Sequence, residues 1–189
     1  MIKINNTFLI LVIIIIISFG GSLLQKNGLG LDELLYNYYS ENLIQDKVDD
    51  IIKAQKRWSW FGYLLVPSFI LIRSILVSIC LSLGLFFYDT KNKMKFIQLF
   101  RVALFGEFVL ALVGFLKFGY FYFIKTDYTL QDIQQFYPLS YTNFLNVSTL
   151  ESWLVYPLQT INLFEIGYFF VLVYGLHRLL RNRYAKSFE

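Results

Sequence analysis

Arg73, Glu107, Lys117 and Glu165 fall inside stretches otherwise suited to lipid. Around Arg73 the run "PSFILIRSILVSICLSL", Pro67 to Leu83, carries no other charge. A lone charge at the centre of a bilayer costs at least ~3 kcal/mol, so such residues pair, bind a substrate or relay protons. Two cations and two carboxylates sum to zero, which makes mutual pairing inside a helix bundle the direct expectation. Gln159 and Asn162 join them, because with Glu165 they form a polar stripe at helical spacing. The candidate network is therefore Arg73, Glu107, Lys117, Gln159, Asn162 and Glu165. Three roles stay open for it: fixing helix register, lining a cavity or proton path for a polar substrate, and contacting a second membrane subunit.

Other chemistry has few carriers. His177 is the only histidine and sits beside Arg178 at the end of an apolar run, which reads as a helix-terminal charge. Cys80 is the only cysteine, so an intrachain disulfide and a cysteine metal cluster are excluded. The chain contains no HExxH, no Walker-type glycine loop and no GxSxG. Gly28 and Gly30 in "NGLGLDE" make a turn before a helix, too little for phosphate binding. Glu107 and Glu165 could act as an acid–base dyad, but nothing supplies a nucleophile beside them. The expectation is no catalysis, no cofactor and no metal.

The elements that position these residues follow from composition and hydropathy. The chain has 189 residues, 57% hydrophobic, 20% aromatic and 16% charged, with mean hydropathy +0.53. That balance excludes an ordinary soluble domain and fits a polytopic membrane protein. The net charge of +4 reads as cations at the cytoplasmic ends of spans rather than as a nucleic-acid footprint. Four apolar segments, about 8–24, 62–88, 96–124 and 157–180, are each near or above the ~20 residues that cross ~30 Å of hydrocarbon. The expected fold is an all-α, single-domain bundle of four transmembrane helices. The first segment follows Lys3 and reads as an uncleaved anchor.

Loop charges set an expected orientation. "DTKNKMK", Asp89 to Lys95, and the tail with Arg178, Arg181, Arg183 and Lys186 are cation-rich and belong in the cytoplasm. Thr126 to Ser152 carries Asp127, Asp132 and Glu151 without a cation and belongs outside. Both termini are then cytoplasmic, in a plasma membrane of bacterial inner-membrane type. Lys47, Lys53, Lys56 and Arg57 run against this rule in the first outer loop. Counted from the outer ends, Arg73 lies ~17 Å deep, Glu165 ~12 Å and Glu107 ~22 Å, with Lys117 near the level of Glu165. Arg73 is thus expected within reach of either carboxylate. Ser74, Ser78 and Ser82 offer a small face for close helix approach, and Ala103, Glu107, Ala111 and Gly114 share one face of the third span.

The outer segments, 25–61 and 125–156, carry structure of their own. Leu31, Leu34, Leu35 and Tyr38, then Val48, Ile51, Ile52 and Gln55, predict an amphipathic helix over Leu31 to Arg57, with a possible break near Asn42 to Gln45. It either lies on the membrane surface or docks a partner. Thr129 with Asp132, and Ser148 with Glu151, have capping-box spacing and predict two short helices. Pro138 and Pro157 each follow a tyrosine, and Pro157 is expected to open the fourth span. The aromatics Phe136, Tyr137, Tyr141, Phe144, Trp153 and Tyr156 suit an interfacial belt. Asn146 begins a weak glycosylation match. The expected partners are the lipid bilayer and a membrane or periplasmic protein docking on 31–57 or 126–156, with no nucleic acid. The expected function is a non-enzymatic subunit or accessory of a larger membrane complex, one handling transport or export. The runner-up is a small transporter or channel built on Arg73, Glu107 and Glu165, and a membrane enzyme comes third.

Overall fold

Apolar runs uninterrupted by paired breakers become long helices in the computed structural model, which describes residues 6–88, 94–145 and 150–187. Helix α1 spans Thr7–Gly28, α2 Leu31–Asn42, α3 Gln45–Tyr88 and α4 Phe96–Gly119. A π-helical turn, Tyr120–Ile124, extends α4. Short helices α5 (Leu130–Gln135) and α6 (Ser152–Thr160) and a 3-10 turn at Tyr141–Phe144 precede α7, Leu163–Ser187. Among the described residues four helices are long and apolar enough to cross a membrane: Thr7–Gly28, Gln45–Phe87, Phe96–Ile124 and Leu163–Arg181. No β-strand occurs among them; Ser140 and Asn162 form one isolated antiparallel bridge.

Helix α4 is the hub. Its close neighbours are α1, α3 and α7. Arg101 donates from Nε and Nη2 to Thr7 Oγ1, and Gln25 Nε2 donates to the Gly114 carbonyl at 3.0 Å, so α1 and α4 run parallel. Helix α7 runs the other way, since Gly106 meets Tyr168, and Gly175 meets Val102 further along. These contacts put the start of α1 and the end of α7 at the same end of the bundle. At the opposite, capped end lie α2, α5 and α6. There Leu29, Phe121 and Ile133 are buried with Leu31, Leu34, Phe118, Tyr120, Tyr128 and Phe136 around them. Tyr120 and Phe136 stack at 4.1 Å between centroids.

Two boundaries differ from the sequence expectation. The outer helix and the second span are one helix, because nothing between Arg57 and Gly62 breaks it. Its 44 residues make about 66 Å, roughly twice the thickness of a bilayer's hydrocarbon core. The expected break does occur, at Leu43–Ile44 between α2 and α3. Part of this hairpin's apolar stripes packs inside the chain: Val48 is fully buried and Leu31 and Leu34 join the aromatic cluster, whereas Leu35 and Ile52 line an open groove and Tyr38 is exposed.

The fourth long apolar helix starts at Leu163 and not at Pro157, which lies inside α6. Asn162 is the reason. Its Oδ1 accepts from Glu165 N at 2.9 Å, and its own carbonyl accepts from Ile166 N, which closes a helix N-terminus. Another first-turn donor, Leu163 N, meets the Leu139 carbonyl at 3.2 Å. Leu139 adopts φ 53°, a left-handed conformation that costs a branched residue about 1–2 kcal/mol and here aims that carbonyl.

The capping box at Thr129 and Asp132 forms as expected, with Thr129 N donating to Asp132 Oδ2 at 2.8 Å. Lys3, Lys91, Lys93, Asn146 and Ser148 lie outside the described residues; α6 itself begins at Ser152 with Glu151 as its N-cap residue.

Candidate functional site

The interior of α4 offers one charge, Glu107, only 1% exposed. Arg73 of α3 reaches it with both arms of the guanidinium: Nε donates to Oε1 at 2.9 Å and Nη2 donates to Oε2. Such a fork fixes both helices in rotation and height, because two parallel bonds tolerate little slip. The pair is lopsided. While Glu107 is sealed, the Arg73 side chain keeps 46% of its surface open beside the exposed Phe69, Ile72 and Leu76.

Close packing brings α7 to the same level. Gly106 is required there, since a Cβ at that position would stand 2.5 Å from the Tyr168 ring. The ring therefore lies across α4 next to Glu107, and both Glu107 and Arg73 act on it electrostatically. Tyr168 Oη is buried without a hydrogen-bond partner among the described residues. Sequence reasoning missed this residue. The available signal was Tyr168 three residues after Glu165, hence on the same helical face. From this level toward the uncapped end the packing is mostly apolar: Val102, Tyr168 and Leu172 pack with Val77, Leu81 and Leu179, and α3 adds the buried Ser74 and Ser78.

The other members of the expected network are dispersed. Glu165 sits in the first turn of α7 rather than deep in a span, close enough to Arg73 to act on it but without an ion pair to it. Tyr137 stands near both; burial pushes its phenol up, Glu165 adds to that and Arg73 opposes it. Lys117 is half-buried in α4 and forms no ion pair with Glu107 or Glu165, so the expected four-charge balance reduces to one pair. Gln159 and Asn162 do not line a stripe, because the α6–α7 junction separates them. Gln159 Nε2 donates to the Gln135 carbonyl at 2.6 Å and closes the end of α5; Asn162 caps α7. Of the serine face, Ser74 and Ser78 are buried, whereas Ser82 points outward.

A second ion pair stands at the capped end. Lys125 Nζ donates to Asp132 Oδ1 at 2.7 Å. That bond, with the Thr129 backbone donor, holds the Asp132 carboxyl below the usual carboxylate value of 3.8.

Chemically, the Arg73 site can fix register, and its remaining N–H donors can hold an acceptor. Neither the thiol nor the imidazole among the described residues stands at the pair: Cys80 is exposed about two turns along α3, and His177 is on α7 near its far end. Among the described residues no cluster of three metal-ligating side chains forms. Comparison with family models, with curated proteins and with solved structures finds no match.

Proposed function

We propose that this protein is a non-enzymatic integral subunit or accessory of a larger membrane complex, seated in a plasma membrane with its capped end outside and both termini cytoplasmic. One observation carries the reading: Arg73 is half open on the outward face of a spanning helix. Lipid tails offer no acceptor to its unused N–H groups, and burying polar groups without partners is costly. A polar group from a neighbouring chain satisfies them. Interhelical polar contacts of this kind hold membrane assemblies together at ~1 kcal/mol each.

The alternative is a small transporter using Arg73, Glu107 and Glu165. Against it stands the mostly apolar packing between Arg73 and the uncapped end, where Ser74 and Ser78 are the buried polar side chains of α3.

Cys80, the sole cysteine, shares the outward face with Arg73 and supplies the test. A photoactivatable cysteine reagent attached there in native membranes should yield one protein adduct of discrete mass. The adduct should disappear in Arg73→Gln while that variant still inserts. Lipid adducts alone, or a protein adduct indifferent to Arg73→Gln, would refute the subunit reading.

A further inference from the structure

A groove of about 840 Å³ runs along the last turns of α4 at the capped end. Its walls are largely apolar, with Phe115, Leu116, Phe136 and Leu139 among them. Leu116 and Ile124 form part of its edge and are 50% and 73% exposed, so the groove is continuous with the outward surface of a spanning helix. Gly119 opens one wall: a Cβ built there meets nothing within 4 Å. Along the same wall α4 passes into the π turn, where Lys125 N reaches back five residues to the Tyr120 carbonyl at 3.0 Å. Such turns recur at functional sites.

Just beyond the end of the span the lining changes sign and character. The Lys125–Asp132 pair stands there, its side chains still 40% and 35% exposed. The groove is thus apolar alongside the spanning helix and polar, with one charge of each sign, immediately past it. That vertical order is the order of a phospholipid. Its size and mostly apolar lining also fall in the range of ligand sites.

We propose that this groove holds an acyl chain of a bilayer phospholipid whose zwitterionic headgroup rests on Lys125 and Asp132. A headgroup with a phosphate and an ammonium offers each side chain its opposite charge. A purely anionic head gains from Lys125 and loses to Asp132. The inference needs the chain to sit in a bilayer but is independent of the partner at Arg73.

The test uses the full chain reconstituted in vesicles of equal phosphatidylethanolamine and phosphatidylglycerol, then released in mild detergent for native mass spectrometry. The wild type should retain one phospholipid, predominantly phosphatidylethanolamine. Gly119→Phe adds a ring where a Cβ meets nothing within 4 Å and should lower retention roughly tenfold, the loss expected from excluding about two methylenes of apolar contact. Asp132→Asn keeps an acceptor for Thr129 and should shift retention toward phosphatidylglycerol. Equal retention by wild type and Gly119→Phe overturns the groove. Retention in vesicle proportions overturns the headgroup assignment. If Gly119→Phe does not insert, Gly119→Leu adds less volume and reads the same quantity.

Discussion

Arg73 and Glu107 are 34 residues apart and meet between two helices, whereas Lys125 and Asp132 are 7 apart and meet across one turn. The first pair seals its carboxylate completely; the second leaves both side chains more than a third exposed. Burial decides what each can do. In the interior a bidentate pair specifies which helices adjoin, because the sealed Glu107 carboxylate has no water as an alternative to Arg73. At the capped end water competes, so the pair orders a loop without dictating the bundle.

The sharpest way to break this contrast is to delete one interior charge. Arg73→Ala should cost about 3–5 kcal/mol, because it leaves a buried charge without its partner. The double variant Arg73→Ala with Glu107→Ala should recover much of that loss, whereas Arg73→Ala with Glu165→Ala should not. Thermal unfolding in detergent reads both. A neutral Arg73→Ala would show that the interior pair is no more demanding than the one at the cap.

A smaller effect of opposite sign belongs to the cap. Leu139 is exposed and held at positive φ, so its side chain contributes little to packing while its backbone is strained. Leu139→Gly should raise stability by roughly 0.5–1 kcal/mol, the relief of strain less the entropy of glycine. A loss of stability instead would mean that the Leu139 side chain matters more than its carbonyl.

The smallest effect is a pH dependence. Asp132 has a folded value below its ordinary 3.8, so its contribution is complete above that value. It is lost as pH falls through 3.8 toward the lower folded value, where the unfolded chain binds the proton first. Wild-type unfolding between pH 7 and pH 3 should therefore show an acid-side loss of under about 1 kcal/mol that Asp132→Asn lacks. Identical pH curves would remove Lys125–Asp132 from the account of cap order.

Several particulars show how far local reading reaches. The break between α2 and α3 and the Thr129 capping box are visible in spacing alone, since each depends on a few adjacent residues. The start of α7 was also visible in principle. Asn162 precedes Glu165 by three residues just before an apolar run, the same signature as at Thr129. Reading those two residues as a stripe concealed it. Pro157 added to the error, because proline suits the first turn of a helix and invited a boundary there.

Hydropathy and periodicity belong to one segment at a time, and they were enough for four long apolar helices and for the need to neutralise Arg73. Which carboxylate answers that need is a different kind of quantity. It depends on α4 lying between α1, α3 and α7, and on Gly106 admitting the Tyr168 ring. Rotation and height within the bundle then put Glu107 within reach of Arg73, while Lys117 pairs with neither Glu107 nor Glu165 and Asn162 becomes a cap. Those are outcomes of side-chain packing between segments far apart in the chain, so only the tertiary structure decides them.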